Sequence, residues 1–339
     1  MKKILHIILI FSYFFTDISA LDINKTLKSC EHKNYKLCSA LGTIYFLGID
    51  VDKDITKSIV YNMIACRGDS KYCSQFKKIL KKNKLNNLSD KQIISYSELA
   101  CELKDSSSCY YLGNYYAYET NHVNDKLSIS FYQKGCKIGH AKSCYQIGMK
   151  YYTEAYNKEG YLKATSYLEK SCDGNFSSAC FNLGVFYQKF LIIDDNMTQA
   201  KKYYARACKM DNMDACFNLA LIYNSKMSKD NYRKTIKLFK KTCASKKSLG
   251  CYDLANIYFL GEKNIVDNNK ARKLYQKSCS NGKANGCNNM GYIYECGVGV
   301  NKNYIRAKSY YKKACMLKSK LGCNNLKNKV NCFHPNTLK

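Results

Sequence analysis

Proline is nearly absent: the 339 residues contain one, Pro335, beyond the last stretch with any periodic pattern. Nothing in the interior therefore removes a helical hydrogen bond or forces a kink, and uninterrupted helix is open to the whole chain. Arginine is scarce too, standing only at 67, 206, 233, 272 and 306 among 55 basic residues. Arginine forks onto phosphates and guanine edges, whereas lysine is a hydrated point charge. The net charge of +29 is thus first a solvated surface, able to attract acidic polymers or membranes by general electrostatics. It argues against specific nucleic-acid recognition. After the N-terminal segment no second long apolar run occurs, which leaves the mature chain without a membrane span. Close Cys-x-x-Cys pairs, the mark of many zinc sites, are missing. His32, His122, His140 and His334 are scattered without metal spacing, and His140, in a turn, is expected to be an exposed loop residue. There is no Gly-rich phosphate loop and no Gly-x-Ser-x-Gly elbow, so no metal and no cofactor is expected.

What is present begins with a leader. Lys2 and Lys3 precede an apolar run over 4–15, and Ile18-Ser19-Ala20 supplies small residues at its end. That order predicts a secretory signal peptide over 1–20, cleaved after Ala20. All 20 cysteines lie in the mature chain, 21–339. An even, regular cysteine set in an exported chain is a disulfide framework, and it places the protein outside the cell or in the periplasm.

Eighteen of the cysteines form pairs: 30/38, 66/73, 101/109, 136/144, 172/180, 208/216, 243/251, 279/287 and 315/323. Successive first members are 35 or 36 residues apart, the signature of a repeat architecture. Three residues after the second cysteine the side chain is always apolar (Leu41, Phe76, Leu112, Ile147, Leu183, Leu219, Leu254, Met290, Leu326). One further on it is usually Gly or Ala, and seven on it is usually Tyr, as at Tyr45, Tyr116, Tyr151, Tyr187, Tyr223, Tyr258 and Tyr294. Offsets of 3, 4 and 7 share one helical face; this is helix A of each repeat. A second helix, B, ends at the first cysteine. It carries Tyr, Phe or Leu five residues before that cysteine and small residues such as Ala164, Ala200, Ala271 and Ala307 eight before it. The recurrent tyrosines on this face are expected in the core, not in a ligand-stacking ladder.

Eight residues of continuous helix span about 12 Å, but a disulfide holds its Cα atoms within roughly 7 Å. The helix must break between paired cysteines if they bond, and Gly139, Gly174 and Asn281-Gly282 lie in the right places to break it. The expected bonds are Cys30–Cys38, Cys66–Cys73, Cys101–Cys109, Cys136–Cys144, Cys172–Cys180, Cys208–Cys216, Cys243–Cys251, Cys279–Cys287 and Cys315–Cys323. Two cysteines remain, each nine residues after a second cysteine, at the ends of neighbouring A helices. They would form an inter-repeat bridge, Cys296–Cys332, tying down the last A helix. The alternatives are two free thiols or an intermolecular bond through Cys332.

The run Leu183-Gly184-Val185-Phe186-Tyr187, the turn Gly297-Val298-Gly299-Val300 and the helix B pattern from Arg306 to Ala314 are similar to Sel1-like repeats, relatives of tetratricopeptide repeats. A cysteine pair in every repeat together with a signal peptide resembles the Helicobacter cysteine-rich protein family. The second repeat (Lys77, Leu80) and the last (Lys327, Val330) depart from the helix A pattern, as caps do. The resulting expectation is an all-α, right-handed α/α solenoid of about eight to nine repeats, one array over 21–339, each hairpin stapled by a disulfide. The resemblance implies two activities: penicillin binding or weak β-lactamase action, and contact of a secreted protein with host components. A serine β-lactamase needs Ser-x-x-Lys with Ser-Asp-Asn and Lys-Thr-Gly. Ser-x-x-Lys occurs at Ser74/Lys77, Ser280/Lys283 and Ser309/Lys312, and the other two elements do not occur; no catalytic residue can be assigned. The expected function is therefore a scaffold whose surface binds a peptide, a protein or a peptidoglycan-like glycan, with a β-lactam as the alternative ligand. Asn24, Asn175 and Asn196 sit in acidic-extended glycosylation sequons.

Overall fold

A computed structural model describes residues 22–82, 89–119, 123–155, 157–189, 196–225, 228–245, 249–261 and 266–332. The leader, His122, His334 and Pro335 lie outside these residues, as do the side chains of Lys77 and Leu80. Among the described residues every regular element is helical and no strand occurs. They fall into two compact units, one ending at Phe176 and the other starting at Ser177. No described helix is long and apolar enough to cross a membrane.

The first unit runs α1 (Ile23–Glu31), α2 (Tyr35–Leu47), α3 (Ile55–Gly68), a short 3-10 turn (Ser70–Tyr72), α4 (Cys73–Lys82), α5 (Asp90–Glu102), α6 (Ser106–Tyr118), α7 (Asp125–Lys137), α8 (Ala141–Glu154) and α9 (Lys158–Asp173). The second runs α10 (Ser177–Lys189), α11 (Asn196–Lys209), α12 (Met213–Asn224), α13 (Lys229–Ala244), α14 (Cys251–Leu260), α15 (Asn268–Ser280), α16 (Ala284–Cys296), α17 (Tyr304–Met316) and α18 (Lys320–Lys327). Even-numbered helices are the A helices; each packs most closely along the B helix that follows it, except α4, which packs on α3 before it, and α18, the last described helix.

Local chemistry starts and stops these helices. Asn34, Asp54, Asp105, Asn212, Asp267 and Asn303 each accept a backbone N–H of the first turn that no helical carbonyl can satisfy. Ser89 and Gln92 cap α5 reciprocally. Three residues after the first cysteine of most pairs, the backbone enters the left-handed region, with φ between 57° and 84° at Lys33, Lys104, Gly139, Asn175, Asp211, Gly282 and Lys318. Gly174 is not the turning residue expected of it: its φ is −75°. Asn175 beside it takes the positive φ, which Asn tolerates through local hydrogen bonding.

The periodic positions are core. Leu41, Leu112, Ile147, Leu183, Leu254 and Met290 are at most 2% exposed. Gly113, Gly184 and Gly291 lie face to face with the rings of Tyr132, Tyr204 and Tyr311 on the next B helix, where a Cβ would collide with the ring. Those rings are buried and their hydroxyls donate to Asn114 (2.7 Å), Gln188 (2.7 Å) and Glu295 (2.9 Å) respectively. The missing side chain thus makes room for a ring, and an A-helix acceptor satisfies its hydroxyl. The A-helix tyrosine seven residues after the cysteine stacks on the B-helix ring of its own repeat. Tyr45–Tyr61, Tyr116–Phe131, Tyr151–Tyr167, Tyr187–Tyr203 and Tyr294–Tyr310 lie 5.5–5.8 Å apart and within 13° of parallel. These aromatics are partners of one another inside the repeat.

Candidate functional site

The cysteines occupy the helix turns. In eight pairs the two cysteines bond across the B-to-A turn with Cα atoms 4.4–4.9 Å apart: 30/38, 66/73, 101/109, 136/144, 208/216, 243/251, 279/287 and 315/323. Cys172 and Cys180 are also disulfide-bonded. Small residues next to the cysteines allow this approach: a Cβ on Gly286 would meet Ser278 Oγ at 2.6 Å, and one on Gly322 would meet Ala314 Cβ at 2.5 Å.

Cys296 bonds Cys332, with Cα atoms 5.4 Å apart. The expectation that both end A helices needs correction. Cys296 ends α16, but α18 stops at Lys327 and Cys332 lies in a non-helical tail beyond it. That tail is also held by Val330, whose N–H donates to Glu295 Oε1 at 3.1 Å. Among the described cysteines none is free, and no cluster of three or more His, Cys, Asp or Glu suits a metal.

His140 departs from the exposed-loop expectation. It caps α8, with Nδ1 3.2 Å from Ser143 N and 2.9 Å from Ser143 Oγ, and its ring packs 4.8 Å from Tyr110. Burial, then Lys142 and Lys33, pull its pKa from 6.5 down to about 4. His32 is exposed, with Nδ1 2.7 Å from Lys28 O. The Ser-x-x-Lys serines Ser74, Ser280 and Ser309 are all exposed, and none lines either of the two described concavities, one in the first unit and one beside Cys296 and Cys332. Ser280 Oγ donates 3.0 Å back to Gln276 O. Of the sequon asparagines, Asn24 is exposed in the first turn of α1, Asn175 is exposed in a turn and Asn196 opens α11.

A cleft of about 350 Å³ lies in the first unit, bounded by α1, α2, α3 and the turn before α6. Tyr35, the stacked Tyr45–Tyr61 pair, Leu27, Ile64 and Leu103 form its apolar wall. Its rim carries both signs of charge: Lys33, Lys57, Lys104, Glu31 and Asp105. Lys57 Nζ sits 5.1 Å above the Tyr45 ring, and Lys104 pairs with Glu31 at 3.0 Å. Burial, then Tyr45 and Glu31, push the Tyr61 hydroxyl up to about 12; burial, then Asp105, raises that of Tyr35. Both stay protonated at neutral pH and can only donate or accept hydrogen bonds. Behind the rim, Arg67 donates to Ser108 Oγ (2.5 Å) and Ser97 Oγ (3.1 Å) and lies 4.9 Å over the Tyr111 ring. Asp105 caps α6 through Ser108. Such a surface can grip an extended segment by stacking and ion pairing. The sequence pattern gave no hint of this cleft, because its wall is made of residues that are core positions in other repeats and its charges come from the turn residues Lys33, Lys104 and Asp105 together with Glu31 and Lys57 on two different helices.

The Sel1 repeat family matches residues 36–61, 106–140, 177–212, 214–246, 248–283 and 284–319, which together exceed half of the chain. Solved structures are similar as well. A protective antigen of uropathogenic Escherichia coli with a Sel1-like repeat fold shares 20% identity at a TM-score of 0.60, over 88% of this chain and 65% of the antigen. A Sel1 repeat protein from Oxalobacter formigenes shares 17% at 0.55, over 93% and 92%. Helicobacter pylori cysteine-rich protein B shares 32% at 0.32, over 38% of this chain and 93% of that one. No curated protein matches the sequence.

Proposed function

The chain belongs to the Sel1 repeat family, and we propose that it works outside the cytoplasm as a disulfide-locked binding scaffold whose first unit takes a peptide or an extended segment of a protein. Twenty cysteines without a free thiol among those described suit a non-reducing compartment, and export through the leader at 1–20 belongs to the same proposal. The observation that carries the reading is the cleft walled by Tyr35, Tyr45 and Tyr61 with lysines and carboxylates on its rim. Aromatic walls with a few placed charges are the usual make-up of a recognition site. A protein segment offers both the apolar side chains and the mixed charges that this rim complements. β-Lactam hydrolysis is not proposed, since no described cleft contains one of its candidate serines.

The test is a pull-down with purified mature protein against host secreted proteins and against cell-wall fragments, followed by titration of what is retained. A saturable protein partner lost on Tyr35→Ala and on Lys57→Glu supports the reading. Retention of glycan fragments alone, or no saturable partner from either pool, overturns it. N-terminal sequencing of the exported chain should begin at Leu21.

A further inference from the structure

The charge is unevenly placed. Residues 177–339 hold 30 of the 55 lysines and arginines but only 9 of the 26 aspartates and glutamates, so +21 of the net +29 falls there. Within the second unit the excess follows a register. Positions nine, six and two residues before the first cysteine of a pair lie three and four apart, hence on one face of the B helix. On α11 they are Gln199, Lys202 and Arg206; on α13, Lys234, Lys237 and Lys241; on α15, Lys270, Lys273 and Lys277; on α17, Arg306, Ser309 and Lys313. Ten of the twelve are cations. The four helices contain one acidic residue, Asp230. In the first unit, position six is Asn24, Val60, Ser95, Ser130 or Ser166, never a cation. Positions nine and two there hold Lys28, Lys57, Lys134, Lys163 and Lys170, five cations in fifteen positions against ten in twelve, so the repeat carries some charge on this face and the second unit more than doubles its density.

The stripe is exposed and partly posed. Lys234, Lys270 and Arg306 lie 5.5 Å from the rings of Tyr223, Tyr258 and Tyr294 on the preceding A helices, and Lys202 lies 5.7 Å from that of Tyr203. A cation within about 6 Å of a ring centroid is attracted by the ring's quadrupole, which limits the side chain's freedom at that place. Lys241 and Lys270 also pair with Asp211 and Asp267, while Lys237 and Lys273 are exposed side chains at the middle of the stripe.

We infer that this face of the second unit binds an anionic polysaccharide, a polymer with recurrent carboxylate or sulfate groups. Two or three cations recur over about 10 Å of each B helix, and only a ligand with repeated anions can meet all four helices. The stripe positions hold no apolar side chain to enter a bilayer, which disfavours a lipid surface. Eight of its ten cations are lysine, which suits dispersed anions and not base edges. This surface shares no residue with the first-unit cleft, and the inference does not depend on what that cleft binds.

A size-defined heparin oligosaccharide serves as probe, titrated into the full mature protein over a range of salt. Lys202→Glu/Lys237→Glu/Lys273→Glu is compared with a control of equal charge change in the first unit, Lys36→Glu/Lys126→Glu/Lys158→Glu. Saturable binding at about 0.15 M salt is expected. The stripe variant should weaken it at least 10-fold and lower the slope of log K against log salt by about two to three, taking roughly 0.7–0.9 per lost contact as for other polyanions. The control should stay within 2-fold. Should the reversals impair folding by circular dichroism, the same three lysines changed to Gln give the same comparison at smaller size. Equal losses in both variants would mean bulk charge alone and overturn the inference, as would no saturable binding. Anionic phosphatidylglycerol vesicles bound more tightly than heparin through the same lysines would replace the polysaccharide with a membrane.

Discussion

Replacing Gly282 by alanine isolates one energetic effect in the turns that the cysteines close. Gly282 has a φ of +80°, and a Cβ built there meets nothing within 4 Å. No steric clash or lost packing enters, so the cost is that of holding an L-residue in the left-handed region, roughly 1–2 kcal/mol. The lower flexibility of alanine in the unfolded chain acts the other way, by about 0.4–1 kcal/mol. That offset falls at the low end, because the Cys279–Cys287 bond keeps the turn short in the unfolded chain when no reductant is present. Gly282→Ala should therefore destabilise by about 1 kcal/mol. The reverse change at the equivalent position, Lys318→Gly at φ +65°, should stabilise by a similar amount. For a unit of this size 1 kcal/mol moves Tm by about 2–4 °C. Thermal unfolding followed by circular dichroism without reductant measures both. A neutral Gly282→Ala, or a Tm lowered by Lys318→Gly, would refute the reasoning.

His140 makes stability depend on pH: the unfolded chain takes up a proton near 6.5 and the folded one only near 4. Its contribution is complete above pH 6.5 and is lost as pH falls toward 4, by about 1–2 kcal/mol once solvent screening is allowed for. His140→Asn, which keeps a capping side chain, should flatten that part of a denaturation-versus-pH profile. Lys283 starts α16 without a side-chain cap, so Lys283→Asn should add about 1 kcal/mol, read as a higher Tm. Burial lowers the pKa of the Arg67 guanidinium, with Asp105 and Tyr111 opposing that shift. Arg67→Met removes its two hydrogen bonds to Ser97 and Ser108 and should cost about 2–3 kcal/mol by denaturant midpoint; a loss under about 0.5 kcal/mol would show that those bonds carry little.

The helical repeat was legible because it obeys two strict periods at once. The cysteine spacing marks the turns, and the offsets of 3, 4 and 7 mark the buried face of each A helix, where Leu112, Leu183 and Met290 are fully buried. Less legible was the partner of the small residue. The ring four positions before the cysteine, as at Tyr132, Tyr204 and Tyr311, stands out only once Gly113, Gly184 and Gly291 are seen against it. Glycine is not a sufficient sign of the turning position: Asn175, next to Gly174, takes the left-handed backbone. A place in a turn does not mean exposure either: the ring of His140 is half-buried where it caps the next helix. The first-unit cleft was invisible in sequence, since Glu31 and Lys104 meet across 73 residues and no local pattern announces them.

The C-terminal end shows why local staples do not suffice for an array. Every hairpin bond fixes a B helix to the A helix after it, so the exposed side of the last A helix must be covered by something else. Here α18 runs for only eight residues, and the chain beyond it leaves the helix and returns to α16. Leu326 and Val330 pack on the cluster built by Tyr294, Met290 and Tyr311. Two adjacent residues of α16 hold the tail there, Cys296 through its bond to Cys332 and Glu295 through the Val330 N–H. Glu295 is only 7% exposed, and its other oxygen accepts from Tyr311. A buried carboxylate with both oxygens engaged is costly unless both donors stay in place, and the Tyr311 donor sits in the core of the last repeat. The covalent bond holds the Val330 donor close enough for the polar clasp to persist, and the clasp orients the tail so that its apolar residues cover the core. The one disulfide that joins positions 36 residues apart thus does for the end of the array what packing against a next repeat does elsewhere.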